Sequence, residues 1–280
     1  MSMLAATSAG AREIEATHVD PRIEAGPEPE RRVSVALAIE EPLEIRLAGE
    51  TLALTMRTPG NDRELALGFL YAEGIVRSLD EVGRVAHCGR TGDAGRENTI
   101  DVIPGPGVAI DPEARRGVVR GTLTTSACGV CGRRSIDDLV ARCAKVAGVE
   151  VSAASASRMV EVLRQTQPLF SRTGGSHGAA LFRVDRDGEV HVVTFEDVGR
   201  HNAVDKVIGS RLFARALPLS GHALLVSGRT SFEIVQKAAV AGAGAVIGVG
   251  AASSLAVDLA AQVGLSLYGF ARHGAIERYA

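Results

Sequence analysis

Cysteine is scarce in this sequence, and charge of neither sign is in excess. Only 4 cysteines occur in 280 residues, which is too few for a scaffold held together by disulfide bonds. The 31 basic residues nearly balance the 33 acidic ones, so neither a nucleic acid nor an anionic membrane surface is indicated as the main partner. Any recruitment of a partner by charge must therefore be local.

Long apolar runs are also missing. Glycine or polar residues interrupt every apolar stretch before it reaches the roughly 20 residues that a membrane-spanning helix needs. Residues 1–32 have no basic segment followed by a continuous apolar segment, so they do not resemble a signal peptide. We therefore expect a cytoplasmic protein without a membrane partner. Because the same residues are rich in alanine, glutamate and proline and show no clear period, we predict a disordered tail there.

The rest of the chain divides into two parts with different patterns. Its composition, 46% hydrophobic and 23% charged, is typical of a globular protein, and its length suits one large domain or two smaller ones. Residues 33–120 begin with runs of alternating apolar residues, which predict an antiparallel meander, and continue with a helix after Pro59 and Gly60. We interpret this segment as a smaller, β-rich supporting part of mixed strands and helix.

Residues 121–280 alternate short apolar runs with helical stretches, the pattern of parallel strands joined by crossover helices. We therefore predict an α/β fold for this part, and α+β overall. The carboxyl ends of such strands meet at one edge of the sheet, where ligands bind. The residues that follow the predicted strands are polar or small, and they are Glu196, Asp197, Gly199, Arg200, His201, Ser227, Gly228, Arg229, Thr230, Gly250, Ser253 and Ser254.

These strand ends together have the composition of a site for a phosphorylated ligand, although each loop alone is more typical of an ordinary cap or turn. Small residues let an anion approach the backbone, and Arg200 and Arg229 add fixed positive charge that can hold a phosphate group. The glycine-rich segment "GGSHG" places His177 just before another strand-like run. His177 and His201 are therefore candidate ligand contacts.

The segment "TTSACGVCGRR" at residues 124–134 carries a Cys-x-x-Cys pair, Cys128 and Cys131. A helical pattern starts just after Cys131, so the helix dipole and the two following arginines would favour the thiolate and lower the thiol pKa. A structural zinc site needs four ligands, and the sequence offers no second Cys-x-x-Cys and no close histidine pair, so we predict no metal. The His-x-Glu and Pro-Cys signature of zinc deaminases is also missing. Sulfur transfer and thiol–disulfide exchange both stay open from these residues.

Five longer motifs resemble those of the FdhD family, the sulfur carriers needed for active formate dehydrogenase. They are "TTSACGVCG", "GGSHGAALF", "EDVGRHNAVDKVIG", "SGRTSFEIVQKAAVAGAGAVIGVGAASSLAVDLA" and "GLSLYGFAR", within a resemblance that covers about residues 33–274. The resemblance implies a cytosolic protein, often a homodimer, with a cytidine deaminase-like α/β core that lacks the deaminase metal site. It also implies a sulfurtransferase whose partners are a cysteine desulfurase and formate dehydrogenase.

The same resemblance implies roles for particular residues. The desulfurase would hand a sulfane sulfur to Cys128 as a persulfide, with Cys131 as its partner, and the sulfur would pass to the molybdenum or tungsten of a bis(molybdopterin guanine dinucleotide) cofactor. We expect guanosine diphosphate (GDP) to bind as a fragment of that cofactor. The alternative is a cofactor-binding chaperone whose cysteines transfer no sulfur. The residues that correspond to the family's contact with the guanine dinucleotide are Phe270, Ala271, Arg272, His273, Gly274 and Ala275.

Overall fold

The computed structural model describes residues 10–18, 31–88, 96–112, 124–125, 143, 145–272 and 274–280. Cys128, Cys131 and His273 lie outside this described part of the chain. The described strands form one two-stranded ribbon and two larger sheets. None of the described helices combines the length and the apolar composition that spanning a bilayer requires.

A two-stranded antiparallel ribbon precedes the larger sheets. Its strands are β1 (Ala11–His18) and β2 (Arg31–Ala38). The pairing sets Ile14 opposite Val35 and Ala16 opposite Val33, and apolar pairs across two strands stabilise a ribbon. The prediction of a disordered tail is therefore wrong for β1, because its partner strand lies farther along the chain and is not visible in the local pattern.

The first larger sheet contains five strands, which are β3 (Glu41–Leu47), β4 (Glu50–Arg57), β5 (Val82–His87), β6 (Thr99–Pro104) and β7 (Thr124–Thr125). Their order across the sheet is β5-β6-β3-β4-β7. β3 and β4 form a predicted antiparallel hairpin, with Ala48 and Gly49 at positive φ in its turn. The predicted antiparallel meander is nevertheless wrong beyond this hairpin, because β2 pairs with β1 and leaves β3 to pair with β4 and β6.

Helix α1 (Asp62–Ala72) covers this sheet and is followed by Gly74, whose φ of +70° ends the helix. Short 3-10 turns at Leu79–Glu81 and Arg96–Asn98 precede β5 and β6. The apolar residues that α1 and the sheet bury together include Leu43, Ile45, Leu47, Leu65, Leu67, Leu70, Ile100 and Val102. This burial makes the first sheet a supporting layer with its own core.

The second larger sheet contains six strands, which are β8 (His177–Asp185), β9 (Gly188–Asp197), β10 (His222–Val226), β11 (Ala245–Gly248), β12 (Ser266–Arg272) and β13 (Ala275–Arg278). Their order is β13-β12-β11-β10-β8-β9. β10, β11 and β12 are parallel, whereas β8 lies antiparallel between β9 and β10. Since β9 and β10 both oppose β8, strands β9 to β12 all point in one direction, and their carboxyl ends share one edge.

Five further helices in the described part are α2 (Ala153–Gln165), α3 (Pro168–Thr173), α4 (Arg200–Phe213), α5 (Phe232–Val240) and α6 (Ser254–Val263). Helices α4, α5 and α6 bury their apolar residues against one face of the second sheet, and α2 buries its apolar residues against the other. Helices α5 and α6 are the crossovers between the parallel strands. The predicted α/β fold is therefore confirmed.

The two larger sheets are joined where α1 crosses α4. A Cβ atom added at Gly68 of α1 would stand 1.8 Å from the carbonyl oxygen of Asp205, and one added at Gly209 of α4 would stand 1.9 Å from that of Glu64. Only glycine lets the two backbones approach this closely. β7 also belongs to the first sheet, although the sequence assigns residues from 121 onward to the second part.

Candidate functional site

The carboxyl edge of the second sheet brings the predicted strand ends together. Gly178 N donates a hydrogen bond to Ser227 Oγ at 2.9 Å, and Gly250 N donates to the carbonyl oxygen of Gly228 at 3.0 Å. Phe270 N donates to the carbonyl oxygen of Gly250 at 3.0 Å. The start of β8, the loops after β10 and β11, and the end of β12 therefore form one connected surface, which we call the carboxyl edge.

Glycine is needed where these loops approach one another. A Cβ atom at Gly250 would lie 3.1 Å from the backbone nitrogen of Arg229, which is tighter than an ordinary van der Waals contact. A Cβ atom at Gly228 would lie 3.5 Å from Nδ1 of His177. His177 therefore stands directly beside the backbone of Gly228 in the loop after β10.

Positive charge at the carboxyl edge comes from arginine side chains. Burial lowers the pKa of His177, and the nearby charge of Arg200 lowers it further, against a smaller opposing effect of Asp197. Arg229 is exposed, and the guanidinium carbon of Arg272 lies 5.1 Å from the centre of the Phe270 ring. Fixed cations beside a backbone rich in glycine suit an anion such as a phosphate group.

Only some residues of the predicted contact run from Phe270 to Ala275 are exposed at the carboxyl edge. Phe270 has a φ of +49°, in the left-handed region that residues other than glycine rarely adopt. Ala271 is only 2% exposed and packs in the core between the sheet and α2, so its side chain faces away from any ligand. Arg272 and Gly274 are exposed, and Gly274 turns the chain between β12 and β13 at a φ of +77°.

Two carboxylates at the end of β9 are structural. Glu196 accepts hydrogen bonds from the backbone nitrogens of Leu169 and Phe170, at 2.9 and 2.7 Å, and thereby caps the first turn of α3. Asp197 is fully buried, and its Oδ2 lies 2.7 Å from Nζ of Lys206. A buried carboxylate is stable when it is paired in this way. The end of β9 therefore adds no free carboxylate to the carboxyl edge.

His201 belongs to a second group of polar side chains, which the sequence analysis did not predict. Its Nε2 lies 3.2 Å from Ser231 Oγ and 3.5 Å from Glu233 Oε2. Nζ of Lys237 donates to both carboxylate oxygens of Asp205, at 2.8 and 2.9 Å. Burial is the main cause that lowers the pKa of His201 to about 4 and raises the pKa of Asp205 to about 7. In the sequence, this group of polar side chains is indicated only by the charged residues that interrupt the apolar faces of α4 and α5.

This group lines a small cavity of about 20 Å³ between β4, α1, α4 and α5. Thr55 Oγ1 donates to Asn202 Oδ1 at 3.1 Å, across the boundary between the two larger sheets. Leu54 also lines the cavity, and it is paired with Thr125 of β7. β7 therefore lies alongside the part of β4 that lines the cavity.

Metal binding is not indicated by the described residues. Among them, no group of three or more histidine, cysteine, aspartate or glutamate side chains is arranged to hold a metal ion. Cys128 and Cys131 lie outside that part of the chain, so the absence of a metal at the thiol pair stays a prediction from the sequence.

Comparison with known proteins identifies the family. The family model of the FdhD/NarQ family matches residues 38–280. The chain belongs to the FdhD/NarQ family. The match contains both larger sheets, the carboxyl edge, the cavity and the whole segment "TTSACGVCGRR". Every candidate site residue described above is therefore inside the part that defines an FdhD/NarQ protein.

Individual relatives agree with this assignment. A Sulfur carrier protein FdhD from Anaeromyxobacter dehalogenans (strain 2CP-C) is 54% identical over 252 residues, which cover 88% of this chain and 86% of the relative. One from Streptomyces coelicolor is 48% identical over 250 residues, which cover 87% of this chain and 86% of the relative. The crystal structure of a candidate formate dehydrogenase accessory protein from Desulfotalea psychrophila shares the fold, with a TM-score of 0.72, 22% identity and 96% of each chain covered.

Proposed function

We propose that this FdhD/NarQ protein is a sulfur carrier in the maturation of formate dehydrogenase. The observation that carries the proposal is the family match, which spans Cys128 and Cys131 and includes close relatives that are named sulfur carrier proteins. Sulfur transfer between proteins needs a thiolate as its nucleophile. A Cys-x-x-Cys pair ahead of a predicted helix and two arginines supplies that nucleophile.

In the proposed reaction, the thiolate of Cys128 attacks the terminal sulfur of a persulfide on a cysteine desulfurase. A sulfur–sulfur bond forms on Cys128 while the sulfur–sulfur bond of the donor breaks, and the donor cysteine leaves as a thiolate that takes up a proton. Cys128 then carries the sulfur as a persulfide, with Cys131 as its partner. The acceptor is the molybdenum or tungsten of bis(molybdopterin guanine dinucleotide), which is a substrate of the protein.

The carboxyl edge is the proposed site for the guanine dinucleotide end of that substrate. Arg200, Arg229 and Arg272 supply positive charge there, and the loops around Gly228 and Gly250 expose backbone that phosphate oxygens can approach. His177 lies at the same edge and is a further proposed contact. This placement is supported by the convergence of the strand ends with the run that the family resemblance assigns to the nucleotide.

Replacing Arg229 by alanine is expected to weaken the binding of GDP about ten-fold or more. The variant loses a charge-assisted hydrogen bond to phosphate, which contributes about 1.5 to 3 kcal/mol. Isothermal titration calorimetry measures the affinity, and GDP should bind more tightly than adenosine diphosphate. Arg215→Ala is the matched control, because Arg215 is exposed and pairs with Asp80, beyond the opposite end of α4. Unchanged affinity in Arg229→Ala would refute the proposed place of the phosphates.

A cofactor-binding chaperone that transfers no sulfur is the second candidate function, and one reconstitution separates it from the first. The protein is loaded with a desulfurase and cysteine, isolated from both, and then mixed with sulfur-free formate dehydrogenase. A sulfur carrier activates the dehydrogenase in this second step without further cysteine. A chaperone activates it only while the desulfurase and cysteine are present. The Cys128→Ser variant, treated identically, is the control for sulfur carried in solution.

The compartment, the oligomeric state and the partners of the protein are also proposals. The family resemblance supports a cytoplasmic homodimer that meets a cysteine desulfurase and formate dehydrogenase in turn. Light scattering coupled to size-exclusion chromatography measures the mass of the particle, and a monomer at micromolar concentration would contradict the homodimer.

A further inference from the structure

The last strand of the second sheet places an acidic side chain beside the carboxyl edge. Glu277 of β13 pairs directly opposite Gly269 of β12, so its side chain lies on the face of the sheet that Gly269 leaves bare. Glu277 is exposed. Tyr279, two residues farther along the chain, lies on the same face and packs against the core that α4, α5 and α6 form with the sheet. The tyrosine is therefore held firmly next to an accessible carboxylate.

Gly269 makes room for the ring of Tyr279. A Cβ atom at Gly269 would lie 2.7 Å from Cε2 of Tyr279 and 3.2 Å from its hydroxyl oxygen. The same Cβ atom would lie 3.1 Å from the carbonyl oxygen of Gly250, which accepts a hydrogen bond from Phe270 N. The tyrosine hydroxyl therefore stands beside the loop after β11, at the carboxyl edge.

Tyr279 orients the carboxylate of Glu277. Its Oη donates a hydrogen bond to Oε2 of Glu277 at 2.9 Å, and Oε1 makes no hydrogen bond within the described part of the chain. Burial raises the pKa of Tyr279, and the hydrogen bond and charge of Glu277 raise it further, so the phenol keeps its proton and donates. An ionised carboxylate only accepts hydrogen bonds, and it can accept about four. Glu277 is therefore fixed in orientation with most of its accepting capacity unused by Tyr279.

Gly250 connects this carboxylate to the proposed phosphate contacts. Its nitrogen donates to the carbonyl oxygen of Gly228, and a Cβ atom on it would lie 3.1 Å from the backbone nitrogen of Arg229. Its own carbonyl oxygen borders Tyr279, so one loop has the phosphate contacts on one side and an oriented carboxylate on the other. Because a carboxylate repels phosphate groups, Glu277 suits the uncharged end of a nucleotide.

Guanine is the base whose edge matches a carboxylate. Its N1–H and its 2-amino group are neighbouring donors, and the two oxygens of one carboxylate can accept from both at once. Hypoxanthine has the N1–H but lacks the 2-amino group. Adenine presents an unprotonated N1, whose lone pair would face the carboxylate. A carboxylate in this place therefore favours guanine over both of the other bases.

We propose that Glu277 is the specificity-determining residue that recognises guanine in the substrate, with Tyr279 as its positioning residue; this rests on the proposed function of the carboxyl edge. The two oxygens of Glu277 accept hydrogen bonds from N1 and from the 2-amino group of the base. The arginines of the carboxyl edge cannot produce a preference for GDP over adenosine diphosphate, because both nucleotides carry the same diphosphate. Glu277 accounts for that preference.

The test is calorimetric binding of GDP, inosine diphosphate (IDP) and xanthosine diphosphate (XDP) to the wild type and to Glu277→Gln. We expect the wild type to bind GDP about ten-fold or more tightly than IDP, which lacks one charge-assisted hydrogen bond. It should bind XDP weakly, because the 2-oxo group of xanthine faces the carboxylate. The amide group of Glu277→Gln can donate to that oxygen. We therefore expect its affinity for GDP to fall about ten-fold or more, and XDP to bind this variant more tightly than GDP.

Glu150→Gln is the matched control for the loss of one negative charge near β13. Oε2 of Glu150 lies 2.7 Å from Nη1 of Arg278, the neighbour of Glu277 whose side chain points to the opposite face of the sheet. We expect this variant to keep the wild-type ratio of GDP to IDP affinity. Tyr279→Phe loses only the hydroxyl group that orients Glu277, so it should narrow that ratio by about three-fold or more.

The outcomes separate this inference from the function on which it rests. Equal affinities of the wild type for GDP and IDP, or an unchanged ratio in Glu277→Gln, would overturn the inference. Tighter binding of all three nucleotides by Glu277→Gln would show that Glu277 only repels phosphate, and would overturn it too. Failure of the wild type to bind any of the three would refute the proposed nucleotide site, and the inference with it. A gain of XDP binding cannot come from unfolding, and thermal melting of each variant identifies any loss of folded protein.

Discussion

Cys128→Ser abolishes the maturation of the client formate dehydrogenase while the variant itself stays folded, if the proposed function is correct. A serine hydroxyl can neither form a persulfide nor ionise near neutral pH, so the variant lacks the atom that would carry the sulfur. The measurement is formate dehydrogenase activity in a strain whose only copy of the carrier is the variant. Circular dichroism of the purified variant tests whether the fold is kept.

Cys88→Ser is the matched control for this experiment. Cys88 directly follows β5 in the first sheet, and its Sγ lies 4.0 Å from the carbonyl oxygen of Ala86. The position is a partly buried thiol with no proposed role in sulfur transfer, so we expect full maturation of the client. Normal client activity in the Cys128→Ser strain would contradict the sulfur-carrier account, and its loss in the Cys88→Ser strain would show that the assay responds to any cysteine.

Gly209→Ala destabilises the protein by about 3 kcal/mol, because the added methyl group has no space at the α1–α4 crossing. The new Cβ atom would stand 1.9 Å from the carbonyl oxygen of Glu64 and close to the backbone of Gly68. Backbone atoms cannot rotate away as a side chain can, so the two helices must separate, and overpacking of this kind costs about 1 to 3 kcal/mol or more. For a protein of this size the melting temperature should fall by about 10 °C.

Gly105→Ala is the control for a glycine whose replacement has room. Its added Cβ atom would lie 3.5 Å from the nearest atom, the carbonyl oxygen of Asp80, which is an ordinary van der Waals distance. We expect a change within about 1 kcal/mol for this variant. Equal melting temperatures of Gly209→Ala and Gly105→Ala would show that the helix crossing is looser than the structure describes.

The sequence predicts those parts of the fold whose signal is local. The apolar runs of β10 and β11, each followed by a helical period, and the apolar run of β12 after them identify the parallel strands and their crossover helices. The position of a residue after such a strand then places Ser227 and Gly250 at the carboxyl edge, where the structure has them. β1 was missed because a strand is defined by its partner, and the register of Ile14 on Val35 cannot be read from either segment alone.

The cavity could not be predicted for the same reason. Thr55 and Asn202, which meet across it, are 147 residues apart in the chain. The sequence does place His201 among the functional residues, but it assigns His201 to the ligand-binding strand ends rather than to a wall shared with the first sheet. Ala271 was included through the family resemblance, although packing against α2 buries its side chain. Contacts between segments that are far apart in the chain therefore determine which side chains line the cavity and which are buried. A local sequence pattern does not reveal such contacts.

Mass spectrometry of Cys128 tests the central claim most directly. The protein is incubated with a cysteine desulfurase and cysteine, alkylated without reduction, and digested. The account predicts a peptide in which Cys128 is heavier by one sulfur atom, and predicts that this mass disappears when a reducing agent is added or the desulfurase is omitted. Unmodified thiols at both Cys128 and Cys131, with a desulfurase that does load a known acceptor in parallel, would contradict the claim that this protein carries sulfur.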